Sequence, residues 1–171
     1  MARVDVDRLL PRDVVVAGVV GGMVAGLPST AHALATRRSP IEATVAAGSL
    51  LLPDERRPVV LMAAALPVHA TLSLGWAGVL AVTLPGTPSG GPDGTWPGRP
   101  TGRRFATVAA GAVAGLAIAA VDLGVVGRRF PRIRALPLLP QVADHVAYGL
   151  AVGWVLARRR ARRRARNGGD Q

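Results

Sequence analysis

Residues 105–126 read FATVAAGAVAGLAIAAVDLGVV, an apolar stretch in which Asp122 is the one charged side chain. A helix needs about 20 such residues to cross the hydrocarbon core of a bilayer. Residues 14–35, 59–84 and 138–157 form three further stretches of similar composition. A helix on the surface of a soluble protein would carry a polar face, and these stretches lack one. The sequence therefore predicts an all-α integral membrane bundle of four transmembrane helices.

The composition fits packed membrane helices better than a water-soluble core. Half of the 171 residues are hydrophobic, only 4% are aromatic, and 21 are glycine. Small residues let membrane helices approach one another closely. The chain has no cysteine, which excludes disulfides, thiolate metal ligands and a cysteine nucleophile. All 21 basic residues are arginine, for a net charge of +11. In a membrane protein such charge flanks the spans and sets their orientation.

Arginine without lysine, with abundant alanine, glycine and proline, is typical of a high-GC coding sequence. The whole chain resembles the small multi-span membrane proteins of high-GC bacteria. This resemblance implies a place in the bacterial inner (cytoplasmic) membrane. It rests on no family-specific motif, so it transfers no functional residues.

Proline, glycine and charge divide the chain into segments. Residues 1–157 form a single membrane domain, and residues 158–171 form a basic cytoplasmic tail. Residues 85–104 are dense in glycine and proline, which predicts a flexible solvent loop. Residues 39–42 (SPIE) have the pattern of a capping box with proline at the first helical position. They predict a helix over about residues 40–52, roughly 20 Å long and too short to span, hence interfacial or re-entrant.

The first apolar stretch has two interpretations. Pro11 and Asp13 suit the first turn of a helix, and Pro28 predicts a kink near Leu27. The alternative is a cleaved signal peptide, since residues 31–35 contain Ala-x-Ala patterns. The long acidic leader and the three later spans favour a retained span.

The arginines predict the orientation of the spans. With four spans, both ends of the chain share one side of the membrane. That side holds thirteen arginines: Arg3, Arg8, Arg12, Arg99, Arg103, Arg104 and the seven of the tail. The other side holds eight, several of them in the basic link 127–137. The excess predicts that both termini are cytoplasmic.

Three spans carry glycines at four-residue spacing, which places them on one helix face and permits close helix crossing. The rows are Gly18, Gly22 and Gly26 in the first span, Gly111 and Gly115 in the third, and Gly149 and Gly153 in the fourth. Packing within one bundle is the favoured interpretation. A homo-oligomer interface is the alternative.

Five polar side chains fall inside the predicted spans, all in the same half of the membrane: His32, His69, Asp122, Asp144 and His145. Ionisable groups in hydrocarbon are costly and usually face the bundle interior. Helical phase predicts that His32, Asp122 and His145 face inward together, and it permits His69 to join them. The same phase points Asp144 elsewhere, along the face of Tyr148.

This polar group leaves three interpretations open. His32, His69, Asp122 and His145 are candidate ligands for a divalent metal such as zinc, or members of a proton relay. Their spacing matches no dedicated metal motif. Interhelical hydrogen bonds and charges near helix ends are the favoured explanation. The sequence predicts no catalytic or cofactor-binding residue and no cofactor, since no nucleophile elbow, phosphate loop or dinucleotide fingerprint occurs.

The basic tail predicts contact with anionic lipid headgroups, at about 1 kcal/mol for each arginine near such a surface. The seven residues are Arg158, Arg159, Arg160, Arg162, Arg163, Arg164 and Arg166. Nucleic acid is a disfavoured partner, because the tail lacks interleaved aromatic residues for base stacking.

Three functions are compatible with these patterns. The favoured one is a non-enzymatic structural or accessory membrane protein that acts through helix packing and lipid contact. The alternative is a small transporter or proton- or ion-conducting protein that uses the His/Asp group in the outer half of the membrane. A membrane-embedded metalloenzyme is the third. The sequence indicates no substrate.

Overall fold

The computed structural model describes residues 9, 11–84 and 100–167, and this part of the chain is helical without β-strands. In chain order the helices are α1 (Pro11–Ala25), α2 (Leu27–Ala35), α3 (Glu42–Gly48), α4 (Pro58–Thr83), α5 (Pro100–Val121), α6 (Pro131–Arg134) and α7 (Leu138–Asn167). A π-helical turn, Asp122–Val126, and a 3-10 turn, Gly127–Arg129, continue α5.

Three helical segments are long and apolar enough to cross a membrane. They are Pro11–Ala35, Pro58–Thr83 and Arg104–Arg129, with mean hydropathies of 1.8, 1.6 and 2.0. In the most apolar 18-residue stretch of each segment, only 28%, 22% and 22% of the residues are buried inside the protein. Large apolar side chains such as Val82 and Val113 therefore point outward, 84% and 66% exposed. An apolar outer surface suits lipid. The prediction of an all-helical structure with membrane-compatible helices is therefore confirmed.

The predicted fourth span is a helix but is not among these three segments. Helix α7 has 30 residues and carries Gln141, Asp144 and His145 near its start, which lowers its hydropathy. It extends past residue 157 to Asn167, so most of the predicted tail is helical. Helix α7 packs against α1, α2, α4 and α5, which places it at the centre of the bundle.

The predicted interruption of the first span is present. Helix α1 ends at Ala25, and α2 begins at Leu27 with Pro28 in its first turn. The two helices meet at a turn on Gly26, whose carbonyl accepts the Thr30 N–H at 3.1 Å. Proline has no N–H and its ring crowds the preceding turn, which accounts for the break.

The predicted capping box does not form. Helix α3 begins at Glu42 rather than near Pro40, and no side chain caps its start in this described segment. The Glu42 carboxylate instead accepts hydrogen bonds from the Arg38 guanidinium at 2.7 and 3.0 Å, which lowers the pKa of Glu42. Residue 41 already has helical dihedral angles, so Ser39 is too far from the helix start to cap it.

Two other predicted boundaries also differ. Helix α3 ends at Gly48 rather than near residue 52, and it packs on α4, where a Cβ on Gly48 would collide with the Leu61 carbonyl. Helix α5 begins at Pro100, so the last five residues of the predicted loop 85–104 are helical. Residues 85–99, including Trp96, lie outside the described part of the chain.

Glycines form the contact between α5 and α7. A Cβ on Gly111 would collide with the Gly149 carbonyl, and a Cβ on Gly149 with the Gly111 carbonyl. Gly115 lies equally close to the His145 carbonyl, and a Cβ on Gly153 would lie 3.0 Å from the Thr107 carbonyl. The two backbones therefore touch along two helical turns, and larger residues would force them apart.

Helix α1 uses two glycine faces. A Cβ on Gly18 would lie 3.0 Å from the Ser73 carbonyl of α4, and a Cβ on Gly22 would lie 2.8 Å from the Ser73 hydroxyl. Gly21, which the predicted row omitted, faces Tyr148 and Val152 on α7. The third member of the row, Gly26, has open space where its Cβ would be, and it marks the helix break.

The glycine contact yields a prediction for stability. Gly149→Ala should lower the thermal unfolding temperature in detergent by several degrees, because overpacking a close contact costs about 1–3 kcal/mol. Gly78→Ala is the matched control: its position on α4 has open space, and alanine favours the helix. Equal unfolding temperatures for the two variants would contradict the close α5–α7 contact.

Candidate functional site

The first polar contact inside the bundle joins α5 to α7. The His145 Nε2 atom lies 3.4 Å from the Asp122 Oδ2 atom, and both side chains are about one-fifth exposed, at 19% and 21%. The Trp76 indole N–H of α4 donates to the same carboxylate oxygen at 3.2 Å. Asp122 is the first residue of the π-helical turn, a local widening that often occurs at functional sites.

A second contact sets the orientation of the imidazole. The His145 Nδ1 atom lies 2.7 Å from the Gln141 carbonyl oxygen, one turn earlier on α7. A carbonyl oxygen can only accept, so Nδ1 carries a proton and donates it. The other nitrogen, Nε2, is therefore the one that meets Asp122. Helical phase predicted that Asp122 and His145 face inward together, and the structure brings them into contact.

Helical phase placed Asp144 on the face of Tyr148, away from the Asp122–His145 contact, and this second face is also buried. Asp144 is 9% exposed, and its Oδ1 atom accepts the Ser29 backbone N–H at 2.9 Å. Ser29 lies in the first turn of α2, where N–H groups lack partners within the helix. A carboxylate there acts as an N-cap and complements the positive end of the helix dipole. Helix α7 is packed on two sides, so two of its faces are inward.

Two further polar side chains join α4 to its neighbours. The His69 Nε2–H donates to the Gly22 carbonyl of α1 at 2.9 Å. The Tyr148 hydroxyl of α7 donates to the Ser73 carbonyl of α4. Both bonds cross between helices. The Tyr148 bond is buried, as is usual for polar groups inside a bundle, whereas His69 lies on the exposed surface of α4.

His32 lies apart from the Asp122–His145 pair. It lines a small crevice together with Ser29 of α2, Gln141 of α7 and Glu42 at the start of α3. The crevice has a volume of about 20 Å³, room for about one water molecule.

The four candidate metal ligands do not converge. Asp122 and His145 meet, whereas His69 bonds to α1 and His32 faces the crevice. In residues 11–84 and 100–167, no three histidine, aspartate or glutamate side chains are grouped to hold a metal ion. The zinc hypothesis therefore has no geometric support in the described residues.

A second polar cluster lies at the other end of the bundle, where α7 passes the start of α1. Asp13 is 1% exposed and pairs with Arg163 at 2.8 Å and with Arg159 at 3.5 Å. Arg160, 6% exposed, donates to the carbonyls of Ala81 and Leu84 at the end of α4. Sequence reasoning missed these contacts because they join residues about 76 to 150 positions apart.

The tail arginines thus have different environments. Arg159, Arg160 and Arg163 are directed at the protein itself, and Arg164 is half-buried. Three exposed residues, Arg158, Arg162 and Arg166, recur every fourth position and form one stripe on α7. The Arg158 guanidinium lies over the Trp154 ring, 5.3 Å from its centroid. Contact of this arginine stripe with anionic lipid headgroups stays a prediction.

At the opposite end of the bundle, the turn that contains Glu55 bonds to α6. The Arg132 guanidinium of α6 donates to the Glu55 carbonyl at 2.7 Å, which joins α6 to the turn before α4. The Arg57 side chain and the N–H groups of Arg56 and Arg57 bond to the Glu55 carboxylate and lower its pKa to about 2. Glu55 therefore stays charged across the physiological pH range.

Comparison with protein-family models, with curated proteins and with solved structures finds no match to this chain. Any functional conclusion therefore depends on the contacts described above.

The Asp144 contact yields a second prediction. Asp144→Asn keeps an oxygen acceptor for the Ser29 N–H and should preserve most of the unfolding temperature. Asp144→Leu leaves the Ser29 N–H buried without its partner, at a cost of about 1–3 kcal/mol. It should therefore lower the unfolding temperature by several degrees. Thermal unfolding in detergent measures both. If the leucine variant were as stable as the asparagine variant, Asp144 would not act as the cap of α2.

Proposed function

We propose that this protein is a four-span accessory protein of the bacterial inner membrane, which acts by contact with other membrane components and catalyses no reaction. Helix α7 would be the fourth span, and α3 would lie at the membrane interface. The proposal rests on one observation: in the described part of the chain, the polar side chains Trp76, Asp144 and Tyr148 bond to neighbouring helices. The crevice beside them has room for about one water molecule.

The position of α7 supports the fourth span. This helix packs along α1 and α5, and both belong to segments that are apolar enough to cross a membrane. Its polar residues Asp144 and His145 face those neighbours, which removes the cost of exposing them to lipid. Its outward side chains Leu139 and Leu150 are 81% and 39% exposed and apolar.

The four-span arrangement would place both chain termini on the cytoplasmic side, where the arginine stripe meets anionic headgroups. Trp154 is half-exposed, and tryptophan is enriched at the level of the headgroups. The stripe begins one turn beyond it, with Arg158 stacked on its ring. An interfacial aromatic residue followed by a row of cations favours a lipid surface over nucleic acid as the partner.

The arginine stripe can be tested by lipid-dependent stability. Phosphatidylglycerol added to the purified protein in detergent should raise its unfolding temperature on the order of 5–10 °C more than phosphatidylcholine does, since three arginines contribute about 1 kcal/mol each. The variant Arg158→Gln, Arg162→Gln, Arg166→Gln should lose most of this difference.

The matched control removes three exposed arginines from the opposite end: Arg56→Gln, Arg128→Gln, Arg129→Gln. It makes the same change in net charge and should keep most of the response to phosphatidylglycerol. An equal loss in both triple variants would show a general charge effect and would contradict the proposed role of the stripe. An equal response to the two lipids would contradict it as well.

A further inference from the structure

We propose that Asp122 and His145 form a proton-binding site that exchanges protons with one side of the membrane only, the side that carries α3. The proposal rests on the four-span arrangement proposed above. Such a site would not conduct protons, because a proton would enter and leave on the same side of the membrane.

The geometry of the pair calls for a proton between its two members. His145 Nδ1 donates to the Gln141 carbonyl, which leaves Nε2 facing the Asp122 carboxylate. A lone pair on Nε2 would repel an ionised carboxylate. The contact is favourable when the proton is on Nε2 as imidazolium or on the Asp122 oxygen as carboxylic acid. Uptake of a second proton fills both positions, and loss of the shared one leaves two acceptors facing each other.

Titratable neighbours surround this pair on several helices. Asp144 follows on α7, and its carboxylate interacts electrostatically with His145 and with His69 of α4. His32 of α2 lies at the crevice. Arg132 of α6 donates instead to the Glu55 carbonyl.

The crevice beside His32 provides the entrance. Two of its lining residues bond to ionisable side chains: Ser29 donates its N–H to Asp144, and the Gln141 carbonyl accepts from His145, the histidine of the pair. A single water molecule in this 20 Å³ space would lie next to Ser29 and Gln141. Ser39 and Glu42 also line the crevice, which places it beside the start of α3.

The other direction is closed by apolar packing. Between the pair and the tail end lie Ala17, Ala77, Val152 and Leu156, each 0% exposed. The glycine contact of α5 with α7 fills the adjacent space. Apolar packing of this kind stays dry, so in the described residues it leaves no water-filled route to the tail end.

Trp76 is a natural reporter of the site because its indole N–H donates to Asp122. The chain has three tryptophans, so Trp96→Phe with Trp154→Phe leaves Trp76 alone. Its emission in the solubilised protein should change with pH as the pair gains or loses its proton. The transition should be lost in His145→Gln and in Asp122→Asn and kept in His69→Gln, the matched control that bonds elsewhere. Thermal unfolding confirms that each variant is folded. A flat emission in the folded parent, or a transition that survives His145→Gln, would overturn the proposal.

The sidedness is tested in liposomes of the single-tryptophan protein with Thr36→Cys. Labelling with an impermeant maleimide gives the fraction of molecules whose α3 side faces outward. After a step in external pH, the immediate change in Trp76 emission should equal that fraction of the total, and nigericin should release the rest. An immediate change in all molecules, or in the complementary fraction, would overturn the one-sided entrance. The maleimide labelling reports the orientation of the protein and does not depend on the Trp76 emission. A failure of the four-span arrangement can therefore be distinguished from a failure of the one-sided entrance.

Discussion

The close contact of α5 with α7 is the constraint on which the remaining structure depends. Gly111 and Gly149 let the two backbones touch, and a single methyl group at either position would collide with the opposite carbonyl. This contact draws α7 into the centre of the bundle. It then carries Asp122 to His145 on one side of α7, while Asp144 on the other side reaches α2. A helix surrounded by other helices can hold polar residues that a lipid-facing helix could not.

Backbone groups left over at helix ends explain most of the other polar contacts. Pro28 breaks the first span inside the apolar region, and Asp144 supplies the acceptor that Ser29 then needs. At the end of α4, Arg160 donates to the carbonyls of Ala81 and Leu84. A bilayer contains no water to satisfy such groups, so side chains from other helices must do so. Asp144, which the sequence places within a cluster of ionisable residues, therefore contributes to the stability of the bundle.

The parts of the fold that depend on local composition could be predicted from the sequence. Apolar length predicted four spans, and three of them are membrane-compatible helices; Pro28 predicted the break at Gly26. Helical phase placed Asp144 on a different face from His145, but it could not show that this face packs against α2. The capping box at Ser39 failed because Arg38, four residues before Glu42, competes for the same carboxylate. The pairing of Asp13 with Arg163 could not be predicted, since it depends on where α7 ends relative to α1.

Cysteine labelling can show whether α7 crosses the membrane as the core of the bundle, because the native chain has no cysteine. Single cysteines at Thr36, Asp93, Pro131 and Ala165 are exposed to an impermeant maleimide in intact cells, with permeabilised cells as the control. If α7 spans the bilayer, Thr36 and Pro131 label from outside, whereas Asp93 and Ala165 label only after permeabilisation. Labelling of Pro131 and Ala165 from the same side would contradict a membrane-spanning α7.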